Sequence, residues 1–303
     1  MRNDFGEGYG GMFEGFEIIR NASMSGYTTL RLGGPADYLA FPRSREEIAA
    51  LFAEAGRLGI PVTVIGHGSN LLVLDGGIRG LVIRIERNMR EIRREGRRIT
   101  AMAGAMMSAA AAFAAREGLA GLEFASGIPG TVGGGTAMNA GAYGGEMKDV
   151  VARVRGLYPD GREFSLSGEE MQFGYRRSAA SGSDMVITDV EMELTEGDEE
   201  AIRAKMTELN SARADKQPLD LPSAGSAFKR PQGAYAAALI DQCGLKGYSV
   251  GGARVSEKHA GFLVNTGSSS ADFLALMNHV RSTVRDMTGF ELEPEIRVVG
   301  EET

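Results

Sequence analysis

Three short stretches carry the residue types that chemistry on a charged substrate needs. FGYRRS (173–178) sets Arg176 and Arg177 beside an aromatic pair, SAGSAFKRP (223–231) places Ser226 among small residues ahead of Lys229 and Arg230, and LEPEIR (292–297) holds Glu293 and Glu295. A guanidinium stabilises developing negative charge, a glutamate can hold a proton, a hydroxyl can deliver one, and a Lys–Arg pair can grip a phosphate. In a strand Glu293 and Glu295 would share one face, with Leu292 and Ile296 on the other. Each stretch also has a plain structural reading: a salt bridge, a turn serine, a solvated strand end. His67, His259 and His279 form no HxxxH or HxH pair, and Cys243 is alone, so no metal centre is expected. No GxSxG elbow is present, which removes support for a serine triad.

Glycine is the second source of chemistry. GHGSN (66–70) and GIPGTVGGGTAMNAGAYGG (127–145) are flanked by ordered, apolar sequence, unlike a polar flexible linker. Ile128, Pro129, Val132, Met138 and Tyr143 punctuate the longer run, and Asn139 can bond its own backbone or a ligand. That pattern suits fixed loops whose main-chain N–H groups cradle an anion such as a pyrophosphate; tight packing with no ligand is the alternative. A literal GxGxxG at Gly6–Gly11 lacks a preceding strand and opens no helix, and no GxxxxGK[ST] exists, so neither nucleotide fingerprint applies.

These stretches must be positioned by the elements around them. Ser44 opens a helix with Glu47 three residues on, an apolar stripe of Ile48, Leu51, Phe52, Ala55 and Leu58, and Gly59 as its stop. IPVTVI (60–65) then feeds the first glycine loop as a strand, and LLVLD and LVIRI follow around DGG (75–77). Residues 84–98 hold seven arginines interleaved with Glu86, Glu91 and Glu95 and read as a solvated hairpin. A small-residue helix is expected at 105–117, a hairpin turned at Pro159-Asp160-Gly161, a strand MVITDVEMEL, and a charged helix with Ile202, Met206 and Leu209 facing inward. KQPLDLP marks a linker before a second region with helices near 234–243 and 270–288. The last helix carries Leu274, Met277, Val280, Val284 and Met287 as an inward stripe, and LEPEIRVVG closes the chain as a strand. The class is α+β, with one domain ending near 195 and another beginning near 215.

The 303 residues carry 43% hydrophobic and 24% charged side chains with a net charge of −7, a globular composition that argues against nucleic acid or an anionic membrane as partner. The start MRNDFGEGYGG has no apolar core of a signal peptide, and AMAGAMMSAAAAFAA (101–115) is too short to span a bilayer. With a lone cysteine, a cytoplasmic protein without membrane insertion is expected.

Taken in order, TLRLGGPADYLAFP (29–42), GHGSNLLVLDGGIRG (66–80), GLEFASGIPGTVGG (121–134), MNAGAYGGEMKDV (138–150), FGYRRS, QPLDLPSAGSAFKRP (217–231), LIDQCGLKGYSVGGARVSEKHAGFLVN (239–265) and LEPEIRVVGE (292–301) resemble the UDP-N-acetylenolpyruvoylglucosamine reductase (MurB) family of flavoenzymes. The match covers nearly the whole chain after residue 25. It implies an FAD-binding domain of the vanillyl-alcohol-oxidase (PCMH) type in two subdomains, 26–65 and 66–197, a substrate-binding α+β domain with the closing strand over 214–303, and a loose segment over 1–25. It also implies non-covalent FAD, contacted by Gly66, Gly68, Ser69, Asn70 and Leu71 and by Gly127, Ile128, Pro129, Gly130, Thr131, Gly133, Gly134, Asn139 and Gly141.

The same resemblance makes Arg176, Ser226 and Glu295 the catalytic residues. NADPH would give a hydride to flavin N5 and leave; UDP-GlcNAc-enolpyruvate would then take it at C3 of the enolpyruvyl group, giving UDP-N-acetylmuramate for peptidoglycan. Arg176 and Glu295 would meet the enolate-like charge and Ser226 would protonate C2. Arg213, Lys229, Arg230 and His259 are the substrate-binding candidates. Only RRSAASGSD separates Tyr175 from MVITDV, so the chain resembles the shorter family type, which lacks a tyrosine-bearing loop; Arg230 stands where the other type has asparagine. In the glycine loop Gly68 separates His67 from Ser69, outside the Gly-His-Ser context of covalent flavin attachment. An oxidase on the same flavin domain and a flavin-free nucleotide-sugar sensor are the competing readings.

Overall fold

The structure is a computed structural model that describes residues 13–267 and 269–302; the GxGxxG decoy at Gly6–Gly11 lies outside them. Three sheets carry the architecture. The first is ordered 18–23, 35–40, 78–84, 62–65, with the first pair antiparallel and the others parallel. The second is antiparallel, ordered 163–167, 151–157, 186–193, 98–102, 92–95. The third, also antiparallel, is ordered 223–226, 262–265, 253–255, 249–250.

Local signals act as their chemistry dictates. Ser44 caps the helix Arg45–Leu58 by accepting from Glu47 N–H at 3.3 Å, and the carboxylate of Glu47 reaches back to Arg43 N–H at 2.8 Å. Gly59 ends it in the left-handed conformation, φ 69°. Of the arginine-rich stretch only the second half forms a hairpin, Ile92–Glu95 and Arg98–Met102 at a sheet edge, its charges paired with Glu91, Glu117, Glu191 and Glu193. Contrary to a solvated reading of the whole, Arg84 ends the strand Ile78–Arg84 and is buried with Glu86.

Four other expectations need correction. Residues 18–23 are not loose: Ile18–Ser23 adds a strand to the first sheet, and Phe13 is buried against Tyr38. A division at 65/66 cuts that sheet, because Ile78–Arg84 lies between 35–40 and 62–65. Met287 is 63% exposed, since in the last turn of Ser270–Thr288 the stripe has drifted off the core; Phe273 and Leu276 are buried instead. Residues 292–296 form no regular strand; only Arg297–Val299 does, pairing in parallel with Leu71–Val73.

The C-terminal region is stitched to the rest at several points. Leu30, Leu32 and Leu72 share its apolar core. The carboxylate of Asp75 accepts from Ser270 N–H at 3.0 Å at the start of the last helix, where negative charge suits the helix dipole. Asn265 Nδ2 donates to Leu30 O at 2.9 Å.

Candidate active site

Strand Val62–Ile65 delivers the loop 66–70 and Leu71–Val73 carries the chain away. The loop is fixed from both sides. Thr29 N–H donates to Gly68 O at 3.2 Å, Asn70 Nδ2 donates to Glu295 O at 3.1 Å, and Arg297 N–H donates to Asn70 O at 3.0 Å. Gly68 has φ 75° and a Cβ there would strike Tyr27 O, so no other residue fits without strain. A Cβ on Gly66 would fall 2.5 Å from Thr131 Oγ1, so the two glycine stretches meet here.

Among the described residues the N–H groups of His67, Gly68, Ser69, Asn70 and Thr131 find no acceptor in the protein. The longer stretch behaves otherwise. Ile128, Gly130, Val132 and Gly133 donate to Ala125, Ile128, Ala105 and Ala103, and Gly134 donates to the capping hydroxyl of Thr131. Beside this stretch lies Arg213: a Cβ on Gly127 would sit 3.0 Å from its Cδ. Burial pushes its pKa below the usual value, and it has no ion pair among the described residues. A run of free N–H groups, and beside Gly127 a partly buried cation without a counter-ion among the described residues, are features that suit a phosphate-bearing dinucleotide.

His67 turns its Nδ1 into the protein, buried and without a partner, and burial lowers its pKa despite the pull of Glu86. Glu86 also pairs with the buried Arg84 at 3.0 Å and with Arg90.

The three catalytic candidates converge. Arg176 has φ 54° within a turn closed by reciprocal Gly174–Arg177 backbone bonds of 3.0 and 3.3 Å, and its Nε donates to Glu295 Oε1 at 2.6 Å. The pair is largely enclosed, with side-chain exposures of 24% and 14%. Burial raises the pKa of Glu295 above its ordinary 4.5, against the opposing pull of Arg176 and of Lys229. Ser226 ends strand Ser223–Ser226 after a bulge at Gly225, φ 78°. The next residue, Ala227, accepts from Glu295 N–H at 2.9 Å, which draws the serine segment alongside the glutamate. The salt-bridge reading and the catalytic reading of Arg176 thus describe the same contact. Glu293 and Glu295 differ: Glu293 is exposed and pairs with Lys229.

Several other candidates are placed differently from expectation. Asn139 is fully buried, and its Nδ2 donates to Glu146 Oε2 at 2.7 Å and Gly174 O at 3.0 Å while Oδ1 accepts from Lys148 N–H at 2.9 Å; both amide hydrogens are used within the protein. Gly141 and Gly133 answer to packing: a Cβ would lie 2.6 Å from the Cβ of Glu146 and of Ala103 respectively. Lys229 is held by Glu293, and the guanidinium of Arg230 lies 3.8 Å above the ring of Tyr235, so a grip on substrate competes with these contacts. His259 Nδ1 accepts from Gly261 N–H at 3.1 Å, and burial lowers its pKa. Sequence reasoning missed Tyr175, whose hydroxyl accepts from Arg230 N–H at 3.0 Å and ties FGYRRS to the C-terminal region. It also missed Glu146, for which the Glu146–Asp149 capping pair was the available signal.

Comparison with known proteins covers the same ground. The family model for an FAD binding domain matches residues 36–167, and that for the UDP-N-acetylenolpyruvoylglucosamine reductase C-terminal domain matches 217–299. The reductase of that name from Lactiplantibacillus plantarum is 47% identical over 291 residues, 96% of each chain. The one from Caldanaerobacter subterraneus subsp. tengcongensis is 48% identical over 286 residues, 94% of each. The crystal structure of the Thermus caldophilus enzyme superposes with a TM-score of 0.80 at 38% identity, covering 93% of this chain and 98% of that one.

Proposed function

The chain belongs to the UDP-N-acetylenolpyruvoylglucosamine reductase family, and we propose that Arg176, Ser226 and Glu295 carry its reaction. It is an FAD-dependent oxidoreductase of peptidoglycan synthesis, built from an FAD-binding domain of the vanillyl-alcohol-oxidase type and a C-terminal α+β domain. Its substrates in this reading are UDP-GlcNAc-enolpyruvate and NADPH. The single cysteine favours the cytoplasm, and no helix among the described residues is long and apolar enough to cross a membrane.

When bound, FAD supplies a hydride carrier between NADPH and the enolpyruvyl double bond. The main chain of 67–70 and Thr131 would hold its phosphates, and Arg213, beside Gly127, would add a cation. Hydride arriving at C3 drives negative charge through C2 onto the carboxylate. In this reading the guanidinium of Arg176 meets that charge, and one donor placed this way is worth ~3–4 kcal/mol of barrier. Glu295, whose pKa burial raises, faces the same carboxylate in this reading and holds Arg176 in place. Ser226 Oγ delivers the proton to C2.

The observation that carries this reading is the enclosed 2.6 Å Arg176–Glu295 pair, joining residues 119 apart in sequence beside the Ser226 segment. Anaerobic half-reactions test it. NADPH should bleach the bound flavin, and UDP-GlcNAc-enolpyruvate should restore the colour. In Ser226→Ala the bleaching should persist while restoration slows by roughly 10²–10⁴. Restoration at the parent rate would remove Ser226 as proton donor; bleaching without restoration in the parent enzyme would favour the oxidase reading.

A further inference from the structure

Asn139 lies within the glycine stretch, yet its side chain bonds the turn that presents Arg176. We propose that Asn139 is a positioning residue for Arg176: it holds the 174–177 turn so that the guanidinium meets Glu295 and the substrate carboxylate. The proposal rests on the reading of Arg176 as a catalytic residue.

Four observations lead there. The side chain is fully buried and its amide orientation is forced, because Nδ2 faces two acceptors, Glu146 Oε2 and Gly174 O, while Oδ1 faces the N–H of Lys148. Gly174 O, the oxygen that Asn139 captures, also accepts from Arg177 N–H, so the asparagine acts on the bond that closes the turn. Arg176 sits inside that turn at φ 54°, a conformation that an arginine does not keep unless its surroundings impose it. Asn139 itself has φ 43°, which asparagine tolerates better than most residues, so residue type and backbone agree.

Glu146 completes the device. It accepts from Asn139 and caps the short helix Met147–Asp149, and its second oxygen pairs with Lys148. The amide is thereby fixed from the side opposite the turn. Fixing one end of a buried hydrogen-bond chain sets the other end, and Arg176 is two residues beyond it.

Asn139→Asp is the test, because aspartate keeps the shape and the acceptor for Lys148 but loses both donated bonds and faces the Glu146 carboxylate. Gly174→Ala disturbs the same turn independently, since its Cβ would lie 2.6 Å from Arg177 Nε. Three readouts separate positioning from cofactor binding: FAD affinity by flavin fluorescence, flavin bleaching by NADPH, and restoration by UDP-GlcNAc-enolpyruvate across pH. Both variants should keep FAD affinity and bleaching within about threefold and slow restoration by at least roughly tenfold. The pH limb governed by Glu295 should also move upward, because the displaced guanidinium no longer lowers its pKa and only Lys229 remains to do so. Val154→Ala, a core truncation in the second sheet, should lower thermal stability without moving that limb.

FAD affinity that falls tenfold or more, with bound flavin restored at the parent rate, would overturn the proposal and make Asn139 a cofactor contact. An unmoved limb would overturn it as well. Should Asn139→Asp fail to fold, Gly174→Ala decides alone by the same criteria. If Arg176→Ala leaves restoration unchanged, the catalytic reading of Arg176 fails separately, and the limb shift still reports whether Asn139 holds the guanidinium against Glu295.

Discussion

The two glycine stretches look alike in sequence and differ in what their main chain does. In 66–70 the N–H groups from His67 to Asn70 are free, among the described residues, while the loop is pinned through its carbonyls and the Asn70 side chain. In 127–145 the N–H groups of Ile128, Gly130, Val132, Gly133 and Gly134 are already bonded, and Gly133 and Gly141 are glycine because Ala103 and Glu146 press against them. The first stretch leaves a run of donors available for an anion, whereas in the second, apart from the N–H of Thr131, these bonds and contacts let the protein pack closely around it. A glycine in sequence reports a close approach without saying whether the approaching group is a ligand or the protein itself.

Substitutions can break or sharpen this contrast. The largest effect is expected at Gly133→Ala, where the new methyl meets backbone and Cβ of Ala103; overpacking of this kind costs ~1–3 kcal/mol, which should show as a cofactor-free melting temperature lower by several degrees. An unchanged melting temperature would put Gly133 with the ligand-facing glycines. Next comes Gly130→Ala, whose Cβ would meet only Ser69 Oγ, at 3.4 Å. Cofactor-free stability should stay within ~0.5 kcal/mol, while flavin titration should show affinity weakened roughly tenfold, as methyl overpacking against a ligand implies. Ser69→Ala should change FAD affinity by less than about threefold, because the loop binds through N–H groups; a loss on the order of a hundredfold would assign the anchor to the hydroxyl.

The smallest effect is the pH dependence carried by Glu295, whose carbonyl anchors Asn70. Its pKa is raised in the folded state, so above about pH 4.5 the folded protein binds more protons than the unfolded one, and stability falls as pH rises toward the raised value. Glu295→Gln should flatten that slope in melting temperatures taken from pH 4 to 7. A slope identical to the parent's would place the titration elsewhere.

Much of the fold was legible because its signals are local: the Ser44–Glu47 cap, Gly59, the Pro159-Asp160-Gly161 turn and the end of the charged helix Glu199–Lys216 before QPLDLP each involve residues within a few positions. The strand at 18–23 was not, because its glycine-rich approach masks a segment stabilised by pairing with 35–40. At the site, the residue types of Arg176, Ser226 and Glu295 were visible, but their convergence spans 119 residues and was supplied by family resemblance rather than by spacing. The side-chain partners of Asn139 were hidden for the same reason: its neighbours in sequence are glycines, while its bonding partner Gly174 is 35 residues away.

Amide hydrogen exchange on the cofactor-free and FAD-loaded protein addresses the contrast most directly. FAD should slow exchange at His67, Gly68, Ser69 and Asn70, whose N–H groups lack acceptors among the described residues, and leave Val132 and Gly133, bonded to Ala105 and Ala103, protected throughout. Protection gained at 132–133 with none at 67–70 would contradict the account.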